Sequence, residues 1–476
     1  MRHLILLLVL ASTLLLPGCT GGGGEPQPTT LDSSVVNVDS FAWEVDRFAD
    51  VRVLRYRIPG WEKLNLQQRK LAYYLVMAGL SGRDIMWDQN HRHNLKIRRA
   101  LEGILRSDKV DRKDPRWEKF LEYSKEVFFS SGIHHNYGME KATPGFERGY
   151  FEELLATSGA DLAKDVVDLM FDPTIDPIKV SLDPTKDLVL ASAVNFYGED
   201  VNQKEVEDFY AAMEVEGDTS PVSYGLNSRI VRGKDGKLEE QVWRVGGMYD
   251  GALREVVKWL ELAKGVAESP EQAAVIDLLI QYYNTGDLRK WDEFNIAWVA
   301  LKPGAVDFIQ GFVEVYNDPM GKRGSYESVV EIIDPEATRN MSVIQNNAQY
   351  FEDNSPLLPE HKKAKVTGIT YGFVNVAGES GDAAPSTPIG VNLPNADWIR
   401  ARHGSKSVSL GNISEAYDRS GGKGSLEEFC HDAEEIARAE KHAALAGKLH
   451  TALHEVIGHA SGQIEKGVGQ TDETLK

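Results

Sequence analysis

His454-Glu455-Val456-Ile457-Gly458-His459 places two histidines and a glutamate within a segment, from residue 427 to about residue 464, whose pattern predicts a helix. Residues four apart on a regular helix lie about 40° from one another around its axis, whereas residues five apart lie about 140° from one another. The two histidines are five apart, so both can bind one metal ion only if a local π-type turn absorbs the extra residue. Gly458 is the residue most able to permit that turn. The hexapeptide therefore predicts zinc ligands at His454 and His459.

Glu455 follows the first histidine, and a carboxylate there lies beside a bound metal ion rather than on it. In that position it can act as general base toward a zinc-activated water. Two other interpretations stay open on the residues alone. His450 and His454 have the regular four-residue spacing of a metal pair, although Thr451 rather than an acid follows His450. The histidines can also be partly exposed residues of an amphipathic helix that binds no metal.

The composition is that of an ordinary globular protein. Of the 476 residues, 42% are hydrophobic and 26% are charged, which argues against a disordered chain and against a multi-pass membrane protein. Asp and Glu outnumber Lys and Arg by 72 to 53, and this surface repels phosphate backbones, so we expect no general nucleic-acid binding. Two cysteines cannot form a disulfide framework or a cysteine-rich zinc module.

The first nineteen residues predict export. A basic start precedes an uncharged run over residues 4–16, which as a helix rises only about 20 Å and cannot span a hydrocarbon core of roughly 30 Å. Such a start and run are typical of a secretory signal peptide. Leu16-Pro17-Gly18-Cys19 resembles the lipobox of bacterial lipoproteins, so we expect lipid anchoring through Cys19 at a periplasmic or cell-surface face. Plain secretion and a chance apolar run are the alternatives.

Hydrophobic periodicity beyond the N-terminal region predicts both helices and strands. Apolar residues at three-and-four spacing predict amphipathic helices over residues 64–80, 253–266 and 271–283. Runs rich in β-branched and aromatic residues predict strands over residues 51–58, 308–316 and 328–333, and more weakly over residues 366–376 and 406–410. Helices, a strand-rich middle and further helices indicate an α+β protein of two or more lobes.

The chain resembles the dipeptidyl peptidase III family of zinc exopeptidases, which is defined by a His-Glu-x-x-Gly-His signature. The resemblance extends from about Phe41 to Lys476, and its segments stand in the family's order. These segments are Arg47-Phe-Ala-Asp, Gly82-Arg-Asp-Ile, Gly132-Ile-His-His-Asn-Tyr, Trp291-Asp-Glu-Phe-Asn-Ile-Ala-Trp, Gly311-Phe-Val-Glu-Val-Tyr-Asn-Asp-Pro and Asn392-Leu-Pro-Asn395. The resemblance implies a two-lobed molecule with a wide cleft, a lower lobe that contains a β-barrel, and a mostly helical upper lobe that carries zinc.

The resemblance also implies domain boundaries along the chain. We expect a lipoprotein signal peptide over residues 1–19, a flexible tether over 20–35, the lower lobe over 36–334, the first part of the upper lobe over 335–372, a return to the lower-lobe barrel over 373–424, and the upper-lobe catalytic helix region over 425–476.

The activity that the resemblance implies is removal of dipeptides from the N-termini of short peptides. His454 and His459 match the family's zinc ligands, and Glu455 matches its catalytic base. The partners expected are short peptides with a free N-terminus and a membrane, and the chain is expected to be a monomer. A non-catalytic peptide-binding lipoprotein that keeps the cleft is the alternative function.

Substrate-binding roles follow from the same resemblance. Glu314, Asn392 and Asn395 match positions that hold the free amino end and first residues of the peptide. Tyr316 matches a tyrosine that steadies the tetrahedral intermediate, and Glu327 matches a cleft acid of less defined role. Carboxylate and amide oxygens accept hydrogen bonds from an ammonium group, and a phenol can donate to a developing oxyanion.

The family's third zinc ligand is a glutamate in a Glu-Glu-x-Arg-Ala-Glu/Asp motif downstream of the hexapeptide. No such motif occurs between His459 and Lys476, and Glu434-Glu435-Ile-Ala-Arg-Ala-Glu440 lies upstream with one residue too many. We therefore expect the third ligand beyond Lys476 and the chain to be truncated at its C-terminus. Two histidines hold zinc more weakly than three protein ligands, so the chain as written is expected to be inactive or nearly so.

Overall fold

The computed structural model describes residues 41–302, 304–366, 369–420, 424–458, 461 and 462. The described residues from Trp43 onward form one compact unit. The predicted signal peptide and tether, with Cys19, lie outside the described residues, and so does His459. No helix in the described ranges combines the length and the apolar character that crossing a bilayer requires.

Helices account for most of the regular structure in the described residues. They are α1 (Leu66–Ser81), α2 (Arg83–Asn90), α3 (Asn94–Arg106), α4 (Trp117–Phe129), α5 (Arg148–Ser158), α6 (Lys164–Phe171), α7 (Gln203–Ala211), α8 (Asp250–Lys264), α9 (Pro270–Thr285), α10 (Leu288–Ala300), α11 (Pro335–Asn346), α12 (Ala348–Asn354), α13 (Asp397–His403), α14 (Gly411–Ser420), α15 (Gly424–Phe429) and α16 (Ala433–Leu453).

Strands form two hairpins and one larger sheet. They are β1 (Glu44–Phe48), β2 (Val51–Leu54), β3 (Ser228–Arg232), β4 (Leu238–Val242), β5 (Val306–Phe312), β6 (Tyr326–Ile333), β7 (Ile369–Gly381), β8 (Gly390–Leu393) and β9 (Ser405–Leu410). Strands β1 and β2 pair with each other, as do β3 and β4. The five-stranded sheet has the order β5-β6-β7-β9-β8, in which β7 and β9 are parallel and the other pairs antiparallel.

The mixture of helices and sheets confirms the predicted α+β class. Helices α1, α8 and α9 and strands β5, β6, β7 and β9 occur where periodicity predicted them. Two predicted strands end early. Strand β2 stops at Leu54 because its last partner is Glu44, the first residue of β1. Strand β5 stops at Phe312, and the chain soon turns, with the Asp318 N–H donating to the Val315 carbonyl. The expected lobe boundaries stay predictions.

Two glycines let α1 lie close against the five-stranded sheet. A Cβ atom at Gly79 of α1 would lie 2.4 Å from Ser328 Oγ of β6, and one at Gly378 of β7 would lie 2.7 Å from Val76 Cγ2 of α1. The helix and sheet share one hydrophobic core with α8, α9 and α10. A second core lies under α2 to α6 and contains Phe120 and Phe151.

Helix α16 leads into the predicted π-type turn. Its start is capped by Asp432, whose side chain accepts a hydrogen bond from the Glu435 N–H at 2.8 Å. The regular helix ends at Leu453, and residues His454–Gly458 continue as a π turn. The prediction of a π-type turn at the hexapeptide is therefore confirmed.

Candidate active site

The π turn determines which of the described hexapeptide side chains are exposed and which are buried. Bonding from residue i to residue i+5 widens the helix, so positions five apart come to the same face. The His454 side chain is exposed, whereas Val456 is buried with Tyr371 and Ala452. Gly458 has no positive φ, and a Cβ there would meet only His454 Nδ1, at 4.0 Å. The i to i+5 hydrogen bonding absorbs the extra residue by itself. The sequence had suggested that the turn needs Gly458, but nothing in its backbone or surroundings requires a glycine.

The Glu455 side chain is only 5% exposed and points toward the sheet. A Cβ added at Gly390 of β8 would lie 2.4 Å from Glu455 Oε1, so the carboxyl packs on the strand backbone. The Glu455 carbonyl accepts a hydrogen bond from Ser407 Oγ of β9 at 3.1 Å. Burial raises the pKa of the Glu455 carboxyl to about 7. A carboxyl with that pKa can accept and return a proton near neutral pH.

Asn392 of β8 lies in the same neighbourhood as Glu455. Its Nδ2 donates to Ser405 Oγ at 3.1 Å and to Ser407 Oγ at 2.5 Å, and Ser407 in turn donates to Glu455. The Asn392 Oδ1 atom is buried and has no hydrogen-bond partner among the described residues. Asn392 Oδ1 is thus a vacant acceptor, and a ligand must bind at strand β8 to donate an N–H to it.

Glu314 and Asn395 form a second group, on the connection after β5 and the segment after β8. Burial raises the pKa of the Glu314 carboxyl, a hydrogen bond from Asn395 partly offsets the rise, and the charge of Asp382 adds to it. Asn395 is exposed and also donates through Nδ2 to the Val313 carbonyl, at 3.3 Å. Because burial leaves the Glu314 carboxylate poorly hydrated, a bound cation that donates hydrogen bonds to it stabilises its charged form strongly.

Glu327 extends this second group into the sheet. It is 6% exposed and pairs with Gly381 across β6 and β7. Burial, together with the charges of Asp382, Glu314 and Glu379, raises the Glu327 pKa well above its usual range. Tyr316 is 75% exposed, and its pKa is raised chiefly by the charge of Glu314. The Tyr316 phenol therefore stays protonated and keeps a hydrogen bond to donate.

Asp382 and Lys179 belong to this group although the sequence did not single them out. Asp382 accepts a hydrogen bond from Asn317 Nδ2 at 3.0 Å, and burial raises its pKa while Lys179 lowers it. Lys179 is 1% exposed, and burial lowers its pKa to about 8. Asp382 follows Gly381, the last residue of β7, and no local motif marks either residue.

The structure thus brings the predicted residues together in two groups. Glu455 and Asn392 both hydrogen-bond to Ser407. Glu314, Glu327 and Tyr316 all feel the charge of Asp382, and Asn395 hydrogen-bonds to Glu314. Asn392 and Asn395 connect the groups, since only Leu393 and Pro394 separate them. His459 lies outside the described residues.

Metal binding rests on the donors around the π turn. His454 offers an exposed imidazole there, and imidazole nitrogens are ligands that zinc prefers. No group of three His, Cys, Asp or Glu side chains with the spacing of a metal site occurs among the described residues. The donor chemistry of His454, with His459 as its predicted partner, fits zinc, and a complete ligand set requires residues outside the described ranges.

Comparison with known proteins gives matches in sequence. A family model described as peptidase family M49 matches residues 224–472. The chain is 25% identical to dipeptidyl peptidase 3 of Homo sapiens over 461 residues, which cover 86% of this chain and 61% of that relative. It is 29% identical to dipeptidyl peptidase 3 of Nematostella vectensis over 218 residues, which cover 46% of this chain and 29% of that relative. The chain therefore spans less than two thirds of the length of these curated relatives.

Solved structures show the same similarity. The structure of DPP III from Caldithrix abyssi matches with a TM-score of 0.64 and 20% identity, over 86% of this chain and 67% of that one. The structure of dipeptidyl-peptidase III from Corallococcus sp. strain EGB matches with a TM-score of 0.63 and 18% identity, over 86% of this chain and 65% of that one. These matches confirm an α+β fold of the dipeptidyl peptidase III type.

Proposed function

Because the chain belongs to peptidase family M49, we propose that its function is the zinc-dependent removal of dipeptides from the N-termini of short peptides. The observation that carries this proposal is the buried Glu455 carboxyl, which directly follows a histidine on a π turn and has a pKa of about 7. The names of the relatives from Homo sapiens and Nematostella vectensis support the same reaction.

The metal site in this proposal consists of His454, His459 and a third ligand from outside the described residues. When bound, zinc supplies a Lewis acid that polarises the scissile carbonyl and activates water for attack. Two histidines hold zinc more weakly than three protein ligands, so we expect activity to require either the third ligand or zinc in excess.

Glu455 performs the proton transfers in this mechanism. Its carboxylate accepts a proton from the attacking water and returns it to the amine that leaves when the peptide bond breaks. The packing against Gly390 and the hydrogen bond from Ser407 hold the residue in place for both steps. The phenol of Tyr316 donates a hydrogen bond to the oxyanion that develops on the scissile carbonyl.

Recognition of a free amino end distinguishes this proposal from an endopeptidase. The ammonium group donates to the Glu314 carboxylate and to the Asn395 side-chain oxygen, which lie on adjoining segments. Asn392 Oδ1 accepts from an N–H of the first residues of the peptide. Binding the amino end at a fixed distance from the base places the second peptide bond at the catalytic centre, and a dipeptide is released. In this proposal one chain forms a complete substrate site, and the protein acts as a monomer.

The test is an assay of dipeptide release by mass spectrometry, with tetra-alanine as substrate and zinc in excess. We expect release from the free peptide and none from N-acetyl-tetra-alanine, because acetylation removes the ammonium group. Cleavage of both peptides at equal rates would contradict recognition of the amino end. Binding of tetra-alanine with no release, by chain that holds zinc, would favour the non-catalytic peptide-binding lipoprotein instead.

We also propose that the protein is exported and anchored to a bacterial membrane through a lipid on Cys19. The lipobox-like Leu16-Pro17-Gly18-Cys19 and the glycine-rich stretch after it support this proposal. Membrane fractionation of cells that express the native chain and Cys19→Ser tests it. The native chain should sediment with membranes and the variant should not, whereas equal distribution of the two would contradict the anchor.

A further inference from the structure

Three histidines lie close together where α2 meets α3 and where the chain leaves α4. His91 and His134 are 0% and 1% exposed, and their ring centres lie 5.7 Å apart. The ring centre of His93 lies 5.6 Å from that of His91. Both buried rings hydrogen-bond to Asp176, on the loop after α6. These three histidines and Asp176 form the histidine cluster.

The hydrogen bonds of His91 require its neutral form. The His93 N–H donates to His91 Nδ1 at 3.2 Å, so Nδ1 carries no proton. His91 Nε2 therefore carries the ring proton and donates to Asp176 Oδ2 at 2.9 Å. A proton added to Nδ1 would turn it from acceptor to donor and break the bond from His93.

His134 is neutral for a related reason. Its Nε2–H donates to the Asp176 carbonyl at 2.8 Å, and its Nδ1 is buried with no hydrogen-bond partner among the described residues. A proton on Nδ1 would become a buried donor without an acceptor. Burial lowers the pKa of His134 to about 3 and lowers that of His91 as well. The folded cluster thus stays neutral at pH values where an exposed histidine binds a proton.

Charged groups on the surrounding elements act on the same two rings. Asp176 favours the charged form of His91, whereas Arg92 and Lys141 disfavour it. Lys141 also disfavours the charged form of His134. The pKa of each ring is lowered overall, so burial and the cations outweigh the acid. The other charged groups that interact with the cluster are Lys179, which acts on His134, Asp88, which acts on His91, and Lys96 and Asp165, which act on His93.

The loop that carries Asp176 is held in an unusual conformation. Asp176 has a φ of 46°, in the left-handed region that residues other than glycine rarely adopt. Lys141 Nζ holds the same loop by donating to the Leu169 carbonyl at 2.9 Å and to the Asp172 carbonyl at 2.6 Å. Loss of the bonds from His91 and His134 would therefore release a strained residue.

Lys179 connects this loop to the candidate active site. It follows Asp176 by three residues, and its N–H donates to the Met139 carbonyl at 2.8 Å. Its charge lowers the pKa of Asp382, which belongs to the same group as Glu314. Opening of the loop would move this cation away from Asp382.

We propose that the histidine cluster is an acid-sensitive switch, which lets residues 133–142 and 172–179 open from the second hydrophobic core while the sheet stays folded. The open form binds protons at the usual histidine pKa of 6.5 and the closed form does not. Opening therefore becomes more favourable as the pH falls below about 6.5. The switch itself does not depend on the proposed function, and only the effect of Lys179 on peptide binding rests on it.

Amide hydrogen exchange of the full-length chain, measured by mass spectrometry between pH 5.5 and pH 7.5, tests the switch. After correction for the intrinsic effect of pH, exchange gives the ratio of open to closed molecules. We expect this ratio for residues 133–142 to rise about 100-fold from pH 7.5 to pH 5.5, because His91 and His134 each contribute about tenfold. Helix α9 packs in the other core and should change less than about threefold.

Two variants remove the protons one at a time. His134→Gln keeps a donor for the Asp176 carbonyl, and His91→Gln keeps one for the Asp176 carboxylate, but neither amide binds a proton in this range. Each should reduce the rise to about tenfold. His431→Gln is the matched control, since the His431 side chain is 89% exposed. It should show the same rise as the native chain.

Every outcome bears on the switch alone. A rise below about threefold in the native chain, an equal rise in α9, or an unchanged rise in whichever glutamine variant folds would overturn it. If neither variant folds, the pH profile of the native chain and the comparison with α9 decide. Hydrogen exchange needs no hydrolysis, so a chain that releases no dipeptide from tetra-alanine would contradict the proposed function and leave this result intact.

Discussion

The Glu455 carboxyl lies against Gly390, and a Cβ at Gly390 would come within 2.4 Å of Glu455 Oε1. Gly390 begins β8, the strand that also carries Asn392 two residues later. The positions of the Glu455 carboxyl and of the Asn392 side chain therefore both depend on strand β8. Because Gly390 has no side chain, the Glu455 carboxyl fits against the backbone of β8.

Gly390→Ala should displace the Glu455 carboxyl, because no Cβ contact as short as 2.4 Å can persist. We expect kcat for dipeptide release to fall about 10- to 100-fold, a part of the roughly 100- to 10,000-fold that a well-positioned base contributes. Zinc content should stay the same. Gly372→Ala in β7 is the matched control, since its Cβ would make an ordinary contact at 3.7 Å with Val408. Equal kcat values for the two variants would show that the Glu455 position is not critical.

Glu314→Gln should weaken binding of free amino ends. The neutral amide keeps the shape but loses the charge, and a charge-assisted hydrogen bond contributes about 1.5–3 kcal/mol, so we expect KM for tetra-alanine to rise roughly 10- to 100-fold. The exposed Glu118→Gln serves as control, with no expected change. A KM for Glu314→Gln within twofold of the native value would remove Glu314 from the amino-end site.

Glu331 should make the stability of the fold depend on pH. Burial and the neighbouring Asp307 raise its pKa to about 8, with Lys406 offsetting the rise in part. Because this pKa is raised above the unfolded value of 4.5, the stabilising effect is complete below pH 4.5 and is lost as the pH rises through 8.

Urea unfolding of the native chain and Glu331→Gln between pH 5 and pH 9 measures this effect. We expect the difference in unfolding free energy between the two proteins to fall by up to about 1.4 kcal/mol per pH unit until about pH 8, and then to level off. A difference that does not change with pH would mean that Glu331 does not stay protonated in the fold.

The spacing of the histidines predicted the π turn because helix geometry leaves no other way to bring residues five apart to one face. Periodicity likewise located α1, α8 and α9, whose buried faces repeat at helical spacing. Strand β7 runs past the end that the sequence predicted for it, at residue 376. It continues as a strand to Gly381, where even a Cβ would lie 2.0 Å from the Tyr326 carbonyl.

The rest of the site depends on contacts between distant parts of the chain. Lys179 meets Asp382 across about two hundred residues of sequence, and Trp298 and Trp398 line one cavity although a hundred residues separate them. No local pattern encodes such pairs, because burial and distance arise only when the sheet and helices pack. The residues that bind and orient a peptide are therefore only partly visible in the sequence.

Dipeptide release by native chain and Glu455→Gln, both with zinc in excess and with the zinc content of each protein measured, tests the central claim most directly. The account predicts release from tetra-alanine by the native chain and a rate at least 100-fold lower for the variant, at equal zinc content. Equal rates for the two proteins, or no release by native chain that holds zinc and binds the peptide, would contradict it.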